Sequence, residues 1–518
     1  MEKSIFAYIW RHSLRQQFVL TLLAATSFPF LYLFYELPKL IINDAIEGRK
    51  GAFPRELYDT LTLSQVQYLL LLCSAFLGLV IVNQAFKYVI NVYRGLTGER
   101  MLRRLRYDLY SRILRFPLPT FRKMSPGEII PMITSEVEPL GGFIGDAFSV
   151  PAFQGGTLLT ILGFLFYQDW RMALAAVVLY PLQIWLIPQL QRRVNRLGKE
   201  RVRRVRRLSD RVGESIQGVQ EIHAHDMSNY ALADFSRHLD GIFYVRYQIY
   251  QKKFVIKFLN NFIQQLGPFF FYSIGGYLVI MGELQIGTLV AAIAAQKDLA
   301  APWRELLTYY QQQADASIKY EAVVTQFEPP GMRPADYQVG EPEGIGPLGG
   351  EIVTANLTLM DDQNAPVIDG LSLRLSLDKR YAVIGSSGSG KEELALLLAR
   401  LVDPQSGSIS IAGRDAASLH EAVTGRRMAY VGPTPHVFSG TIADNLYFGL
   451  KHRPLREPNY DEQALHERRR YVLEAERAGN IGFDVDADWL DYGAAGVDGP
   501  DALRLRAIEV LAMVGMDE

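Results

Sequence analysis

The sequence predicts a two-part protein: an all-α bundle of six membrane-spanning helices followed by an α/β domain built round a phosphate-binding loop. Three observations carry the prediction. Long uncharged apolar runs crowd roughly the first three hundred positions, whereas the rest has soluble alternation. Arginines cluster in two of the connections between those runs. A strand, a glycine loop ending in lysine and a helix follow one another from Tyr381 onward.

A chain of 518 residues has length for two or three domains. The net charge of −1 gives no generally basic surface, so where the basic residues sit matters more than their number. The single cysteine, Cys73, lies in an apolar run; that excludes an internal disulfide and a cysteine-based zinc site and makes it a small packing residue of a helix. Met1 to Arg15 contains Trp10 and Arg11 but no short apolar core before a small-residue cleavage site, so no removable leader is expected there.

With about twenty apolar residues needed to span a bilayer, the six expected helices are Phe18–Leu40, Val66–Val92, Phe148–Tyr167, Trp170–Leu190, Ile256–Met281 and Ile286–Trp303. Between the second and third run the chain carries Arg94, Arg100, Arg103, Arg104, Arg106 and further basic residues to Lys123. Between the fourth and fifth come Arg192 through Arg211. The positive-inside rule makes both connections cytoplasmic, and with them both termini. The turns at Gln168-Asp169 and Gly282-Glu283 are short and mildly acidic, as outside turns should be. Basic runs also grip nucleic-acid backbones, but these flank apolar spans on one side only, where anionic lipid is the natural partner, so no nucleic acid is expected.

Both long connections are amphipathic, the first unbroken until Phe116-Pro117-Leu118-Pro119, and read as helices continuing below the membrane. In the fifth span Asn260, Asn261, Gln264 and Gln265 put at least two amides on one face, which must meet other helices or line a wet substrate path. Glu36 and Lys39 are spaced to pair. His223 and His225 lack a third ligand, so no metal site is assigned to them.

After Phe327-Glu328-Pro329-Pro330-Gly331 a Gly/Pro-rich stretch reads as a linker, and Glu351–Leu359 and Leu371–Ser376 as strands. The apolar strand Tyr381–Ile384 runs into Gly385, Ser386, Ser387, Gly388, Ser389, Gly390 and Lys391, and Leu394–Leu401 follows as a helix. Glycines let successive N–H groups converge on phosphate oxygens, the helix start adds positive potential, and Lys391 supplies a mobile cation. Gly385 to Lys391, with Glu392 after them, are the candidate cofactor-binding residues; no catalytic residue and no metal ligand is assigned.

Tyr430 to Ile442, followed by Asn445, resembles the Q-loop region of ATP-binding cassette (ABC) exporters. Arg115-Phe116-Pro117-Leu118-Pro119-Thr120-Phe121, with Gly127-Glu128, and Gly218–Asp226 resemble that family's two coupling segments. The resemblance implies an ABC exporter fold, a six-helix transmembrane domain (residues 1–325), a linker (326–349) and a partial α/β P-loop NTPase domain, the nucleotide-binding domain (350–518), incomplete. It further implies ATP and Mg2+ as cofactors, ATP hydrolysis, and a dimer with a second half-transporter. The resemblance also implies a place in the bacterial inner membrane and outward transport of a hydrophobic or amphipathic substrate such as a lipid, drug-like molecule or peptide. The alternatives are a nucleotide-sensing membrane regulator that transports nothing, and the degenerate half of a heterodimer.

The chain departs from the family in its site. Glu392 stands where Ser or Thr normally holds magnesium; a carboxylate about 4 Å from a phosphate charge is repelled by roughly 4 kcal/mol at an effective dielectric near 20. The helix-terminus effect of about 0.3 to 1 kcal/mol does not offset that, so Glu392 is expected to swing outward unless magnesium bridges it. Pro433 replaces the Q-loop glutamine, and Met360, Asp361 and Asp362 stand where an aromatic would stack on adenine. These departures predict a degenerate site that holds ATP and hydrolyses it slowly. No L-S-G-G-Q signature or switch histidine follows. Val510–Met516 with Asp517-Glu518 superficially matches a Walker B strand, but Leu503–Met513 has helical character and is read as a helix, with Asp484–Asp501 as a surface insert.

Overall fold

The computed structural model describes all residues except 49–53, 58–60, 125, 338–345, 347, 362, 364 and 517–518. Asp362, the Asp517-Glu518 pair and part of the linker therefore lie outside the described residues, as do the side chains of Gln264, Gly127-Glu128 and part of the fourth apolar run.

The first helix, α1 (Ile5–Leu40), passes through a short π-helical stretch (Ile41–Ile46) to an antiparallel hairpin, β1 (Arg55–Leu57) and β2 (Leu61–Leu63), paired Arg55 with Leu63. Helix α2 (Gln65–Ile113) then runs 49 residues, about 74 Å at 1.5 Å per residue and far more than a bilayer needs. Two short helices follow, α3 (Leu118–Lys123) and α4 (Pro126–Pro131), then a π-helical turn (Met132–Glu136) and α5 (Glu138–Gln168). Asp169 caps α6 (Trp170–Val177) by accepting from Arg171 N (2.7 Å) and Met172 N (3.3 Å). A break at Val178 leads to α7 (Leu179–Gln217), α8 (Val219–Ala224) and α9 (Ser228–Phe270). A π-helical turn precedes α10 (Gly276–Ile280), and α11 (Ile286–Asp298) and α12 (Ala300–Gln326) complete the helical part.

Among the described residues three helical stretches, Ile5–Ile46, Gln65–Ile113 and Glu138–Gln168, are long and apolar enough to cross a membrane. The other three expected spans are interrupted. The fourth is split at Val178 and the sixth at Leu299, while the fifth mixes Lys257 and four amides into its apolar run before the π-helical turn. Only 6% of the most apolar window of α2 is buried within the protein, as for a helix whose neighbour is hydrocarbon. Cys73 is on that exposed surface, so the expectation of a packed cysteine fails: on a lipid-facing helix an apolar run need not face a protein core.

By contact the chain divides into two compact units, residues 15–95 with 146–313, and residues 1–14 with 96–145 and 314–518. In the first, Tyr35, Phe164, Leu165, Met172 and Phe271 form the main core. Arg171 bonds Glu283 at 2.6 Å and ties the two turns expected outside. Lys39 pairs with Glu36 at 2.8 Å as their spacing predicts, and Glu36 also accepts from Gln168 at 2.9 Å. Asn261 and Gln265 of α9, one turn apart, are both exposed.

The second unit holds the helix ends beyond the apolar runs and the soluble domain. Here α2 and α5 approach closely: a Cβ on Gly98 would lie 2.7 Å from the Gly141 carbonyl oxygen, so the crossing requires small residues. Strands β3 (Glu351–Met360) and β4 (Pro366–Ser376) precede α13 (Lys391–Leu398), β5 (Ser406–Ile411) and β6 (Arg414–Asp415). The sheet is antiparallel, ordered β4-β3-β5-β6. Leu357, Ile368, Leu397, Ile409 and Ile411 seal it against α13. The expected strand Tyr381–Ile384 pairs with no described strand; its backbone has no ladder partner, and Ile384 is 93% exposed.

Helices α14 (Glu421–Arg427) and α15 (Ile442–Leu446) lead to β7 (Lys451–Arg456), α16 (Glu462–Ala478), β8 (Asp488–Leu490) and α17 (Pro500–Met513). The helical reading of Leu503–Met513 therefore holds over the Walker B alternative. Within the expected surface insert Val485, Asp486, Asp498 and Asp501 are exposed, but Asp484 is buried, 3.3 Å from Arg468 and bonded by the Tyr460 hydroxyl, and β8 pairs with β7. An acidic run looks solvated in sequence, but a half-buried arginine partner 16 positions away draws its first carboxylate inward.

Candidate functional site

The loop Gly385–Gly390 follows the unpaired stretch Tyr381–Ile384 and turns into α13. Gly388 (φ +76°) and Gly390 (φ +82°) take the left-handed conformation that a side chain resists. Space enforces the same choice, since a Cβ on Gly390 would stand 2.9 Å from the Val367 carbonyl oxygen and one on Gly385 would collide with the Ser389 hydroxyl. Ser386, Ser387 and Ser389 are exposed, and the first N–H groups of α13 have no intrahelical acceptor. The loop thus presents donors to solvent at the positive end of a helix, the arrangement an anion requires.

Lys391 reaches back over the loop and donates to the Ser386 carbonyl at 2.9 Å, with Gly385 O at 3.5 Å. Its ammonium is therefore already held above the loop that would wrap a polyphosphate. Glu392 and Glu393 follow in the first turn, and Glu392 is exposed. Asp361 is engaged locally: its Oδ1 accepts from Gln363 N and Ala365 N, both at 2.8 Å, and closes the β3–β4 turn.

Pro433 lies exposed in the irregular stretch before α15. Asn445 shapes that stretch, accepting from Phe438 N at 2.8 Å and donating to Phe438 O at 2.9 Å, while Thr441 and Asp444 form a capping box at the start of α15. The two expected coupling segments become short helices between breaks. Just before α3, Phe116 is buried with its ring centroid 5.9 Å from Phe121 and 6.0 Å from Phe327. At the C-terminal cap of α8, the ring nitrogen Nδ1 of His225 lies 2.9 Å from Glu221 O.

Two arrangements had no signature in sequence. Arg400, two residues beyond α13, is buried at φ +57° and donates to Leu419 O and, at 2.7 Å, to Ala417 O. Its own carbonyl accepts from Arg333 at 2.6 Å, and the guanidinium groups of Arg333 and Arg400 lie 4.6 and 5.0 Å from the centroid of the Tyr337 ring. Arg333 N in turn donates to Arg115 O at 3.0 Å, so bonded residues link the end of the loop helix to the segment leading into α3. The second arrangement is a bidentate pair, Arg100 to Glu474, with both bonds at 2.7 Å. Beside it Arg103 and Arg468 each lie 5.4 Å from the Tyr471 ring. These bonds hold Glu474 well below the usual carboxylate range, at about 2, chiefly through its hydrogen bond to Arg100.

Comparison with known proteins gives two family matches. Residues 18–297, more than half of the chain, match the ABC transporter transmembrane region, and residues 368–489 match the ABC transporter family. An ATP-dependent lipid A-core flippase of Burkholderia orbicola (strain AU 1054) is 25% identical over 385 residues, 72% of this chain and 63% of that protein. A protein of the same description from Syntrophus aciditrophicus (strain SB) is 24% identical over 371 residues, covering 71% and 61%. The "Probable multidrug resistance ABC transporter ATP-binding/permease protein YheH" of Bacillus subtilis (strain 168) is 23% identical over 386 residues, covering 74% and 56%. The chain thus spans about three fifths of the length of these relatives. With apolar helices preceding a glycine-loop cassette in one polypeptide, and both parts matched in that order, the chain belongs to the ABC transporter family, in its exporter arrangement, and is an integral membrane protein.

Proposed function

We infer that the chain is one protomer of a dimeric, ATP-driven exporter of hydrophobic or amphipathic molecules. The observation that carries this reading is Lys391 poised over its own loop, in the same chain as the membrane helices. ATP supplies the phosphoryl bond whose cleavage drives the cycle. The loop N–H groups and Lys391 would hold its phosphates, and α3 and α8 would pass cassette movement to the helices. Magnesium would lose one ligand, because Pro433 has no side-chain oxygen or nitrogen to offer, and the Glu392 carboxylate would have to hold it in place of a hydroxyl. The arginine-rich connections favour cytoplasmic termini in a bacterial inner membrane.

Three departures in one site favour a second reading, in which this protomer is the slow half of a heterodimer and its partner supplies the competent site. A regulator that senses nucleotide without transporting is the remaining alternative. The test is transport of labelled lipids, drugs and peptides by the full-length protein in vesicles. ATP-dependent movement lost in Lys391→Ala is expected; movement unchanged in that variant contradicts the reading. Transport only on co-expression with a second half-transporter would select the heterodimer.

A further inference from the structure

Beyond their apolar runs α7 and α9 pack side by side within the unit made of residues 15–95 and 146–313. Residues 200–211 of α7 carry six arginines against two carboxylates, Glu200 and Asp210. A pocket of about 240 Å3 opens between the two helices, lined by Arg204 and Arg207 from α7 and by Arg237, His238 and Gly241 from α9. Spacings of three and four set each group on one helical face, so cations from two elements share one space.

Some of these cations are held in place and others are uncommitted. Arg204 donates from Nε to Glu200 at 3.0 Å and from Nη1 across to the Gly241 carbonyl at 2.9 Å. Gly241 admits it, since a Cβ there would stand 2.7 Å from that nitrogen and push the guanidinium aside. Arg237 donates to Asp234 at 2.6 Å, and Arg211 takes the other oxygen of the same carboxylate at 2.8 Å. His238 Nδ1, 2.9 Å from Asp234 O, donates to that carbonyl and leaves Nε2 for another partner. Arg207 is exposed and makes no ion pair among the described residues. The carboxylates are shared, Asp234 between Arg211 and Arg237 and Glu200 between Arg203 and Arg204, so positive charge is left over in the pocket. A guanidinium has five N–H donors, and most of those on Arg204, Arg207 and Arg237 remain for a ligand.

The position excludes a bilayer headgroup as that ligand. At about 1.5 Å per residue Arg204 stands about 21 Å along α7 from Leu190, where the apolar run ends, and His238 about 27 Å along α9 from Ile256, where the next begins. Even a helix tilt of about 40° leaves about 16 Å, whereas the headgroup layer is only about 5 to 8 Å deep on each face. A soluble anion fits instead. The volume lies below the roughly 300 to 1,000 Å3 that drug-sized ligands fill, so the pocket suits one or two phosphoryl groups and not a whole nucleotide. We propose that it binds the diphosphate group of a soluble metabolite, with Arg204 and Arg207 holding the oxygens from α7 and Arg237 and His238 from α9. Bound there, the group ties together the two helices that carry α8 between them.

Pyrophosphate is the probe, titrated by calorimetry into full-length protein in phosphatidylcholine nanodiscs at constant ionic strength. The glycine loop would also take it, so the measurement is made on the Lys391→Ala protein. Pyrophosphate is expected to bind there saturably and at least about tenfold tighter than orthophosphate. Arg207→Gln and Arg237→Gln, each added to that background, should weaken it about tenfold, as loss of a charge-assisted hydrogen bond does. In phosphatidylglycerol nanodiscs the affinity should stay within about threefold, because the pocket lies beyond the headgroups. No saturable binding, binding unchanged with both arginines replaced, or binding abolished by phosphatidylglycerol, which would assign the arginines to lipid, would each overturn the proposal. Absence of binding to Lys391→Ala protein that unfolds at the wild-type temperature decides the matter even if the arginine variants misfold. A wild type that holds pyrophosphate here but binds no ATP would sink the exporter reading alone; ATP binding with no pyrophosphate held here would sink this one alone.

Discussion

Lys391 donates to Ser386 O at 2.9 Å, so a bound phosphate has to replace that bond with a stronger, charge-assisted one. Glu392, next along, works against it: the carboxylate is exposed and so screened, yet it sits in the turn where phosphate charge would collect. Glu392→Thr is therefore expected to tighten ATP binding in the presence of magnesium by roughly tenfold, measured by calorimetry on the full-length protein. Unchanged affinity would mean that the carboxylate already serves the metal. The loop residues were legible in sequence because their chemistry is local, glycine freedom and a lysine at fixed spacing. Arg400 was not, because its importance comes from a left-handed backbone, burial and three carbonyl contacts that no spacing announces. Asp361 was legible as a departure from the family, but its use in closing the turn emerges only from the fold.

At the scale of elements, the long helices followed from hydropathy and from the missing breaks in the connections, and α2 and α9 extend beyond their apolar runs as expected. The breaks at Val178 and Leu299 each fall three residues before a proline, Pro181 and Pro302, whose missing N–H leaves the carbonyls of Val177 and Asp298 without a helical donor; that signal was in the sequence, inside runs chosen by hydropathy alone. The joint between α2 and α16 was invisible: Arg100 belongs to a basic run informative only about orientation, and Glu474 lies 374 positions away. Crossing Arg100→Ala with Glu474→Ala in thermal unfolding should give a coupling of about 1 kcal/mol, as for a bidentate, partly exposed pair. Because Glu474 is held below its ordinary value, the pair's contribution is complete above the usual carboxylate range and is lost as pH falls toward about 2. The difference in stability between wild type and Arg100→Ala should accordingly shrink across that acid interval. A difference that does not change with pH would show that the ion pair is not what joins these helices.

For the whole molecule, one polypeptide carries helices apolar enough to cross a bilayer and a glycine loop shaped to take an anion, and bonded residues run from the loop helix through Arg400, Arg333 and Arg115 to the segment before α3. The order of parts was plain from sequence because hydropathy and glycine content change abruptly along the chain. How the helix ends gather with the cassette into one compact unit was not, as it depends on contacts hundreds of residues apart. The most direct measurement of the central claim is a nucleotide titration of the intact protein in lipid nanodiscs, wild type against Lys391→Ala. Saturable ATP binding, weakened about ten- to a hundredfold by loss of the lysine, is the predicted result. No saturable binding, or equal binding by both proteins, would contradict the account.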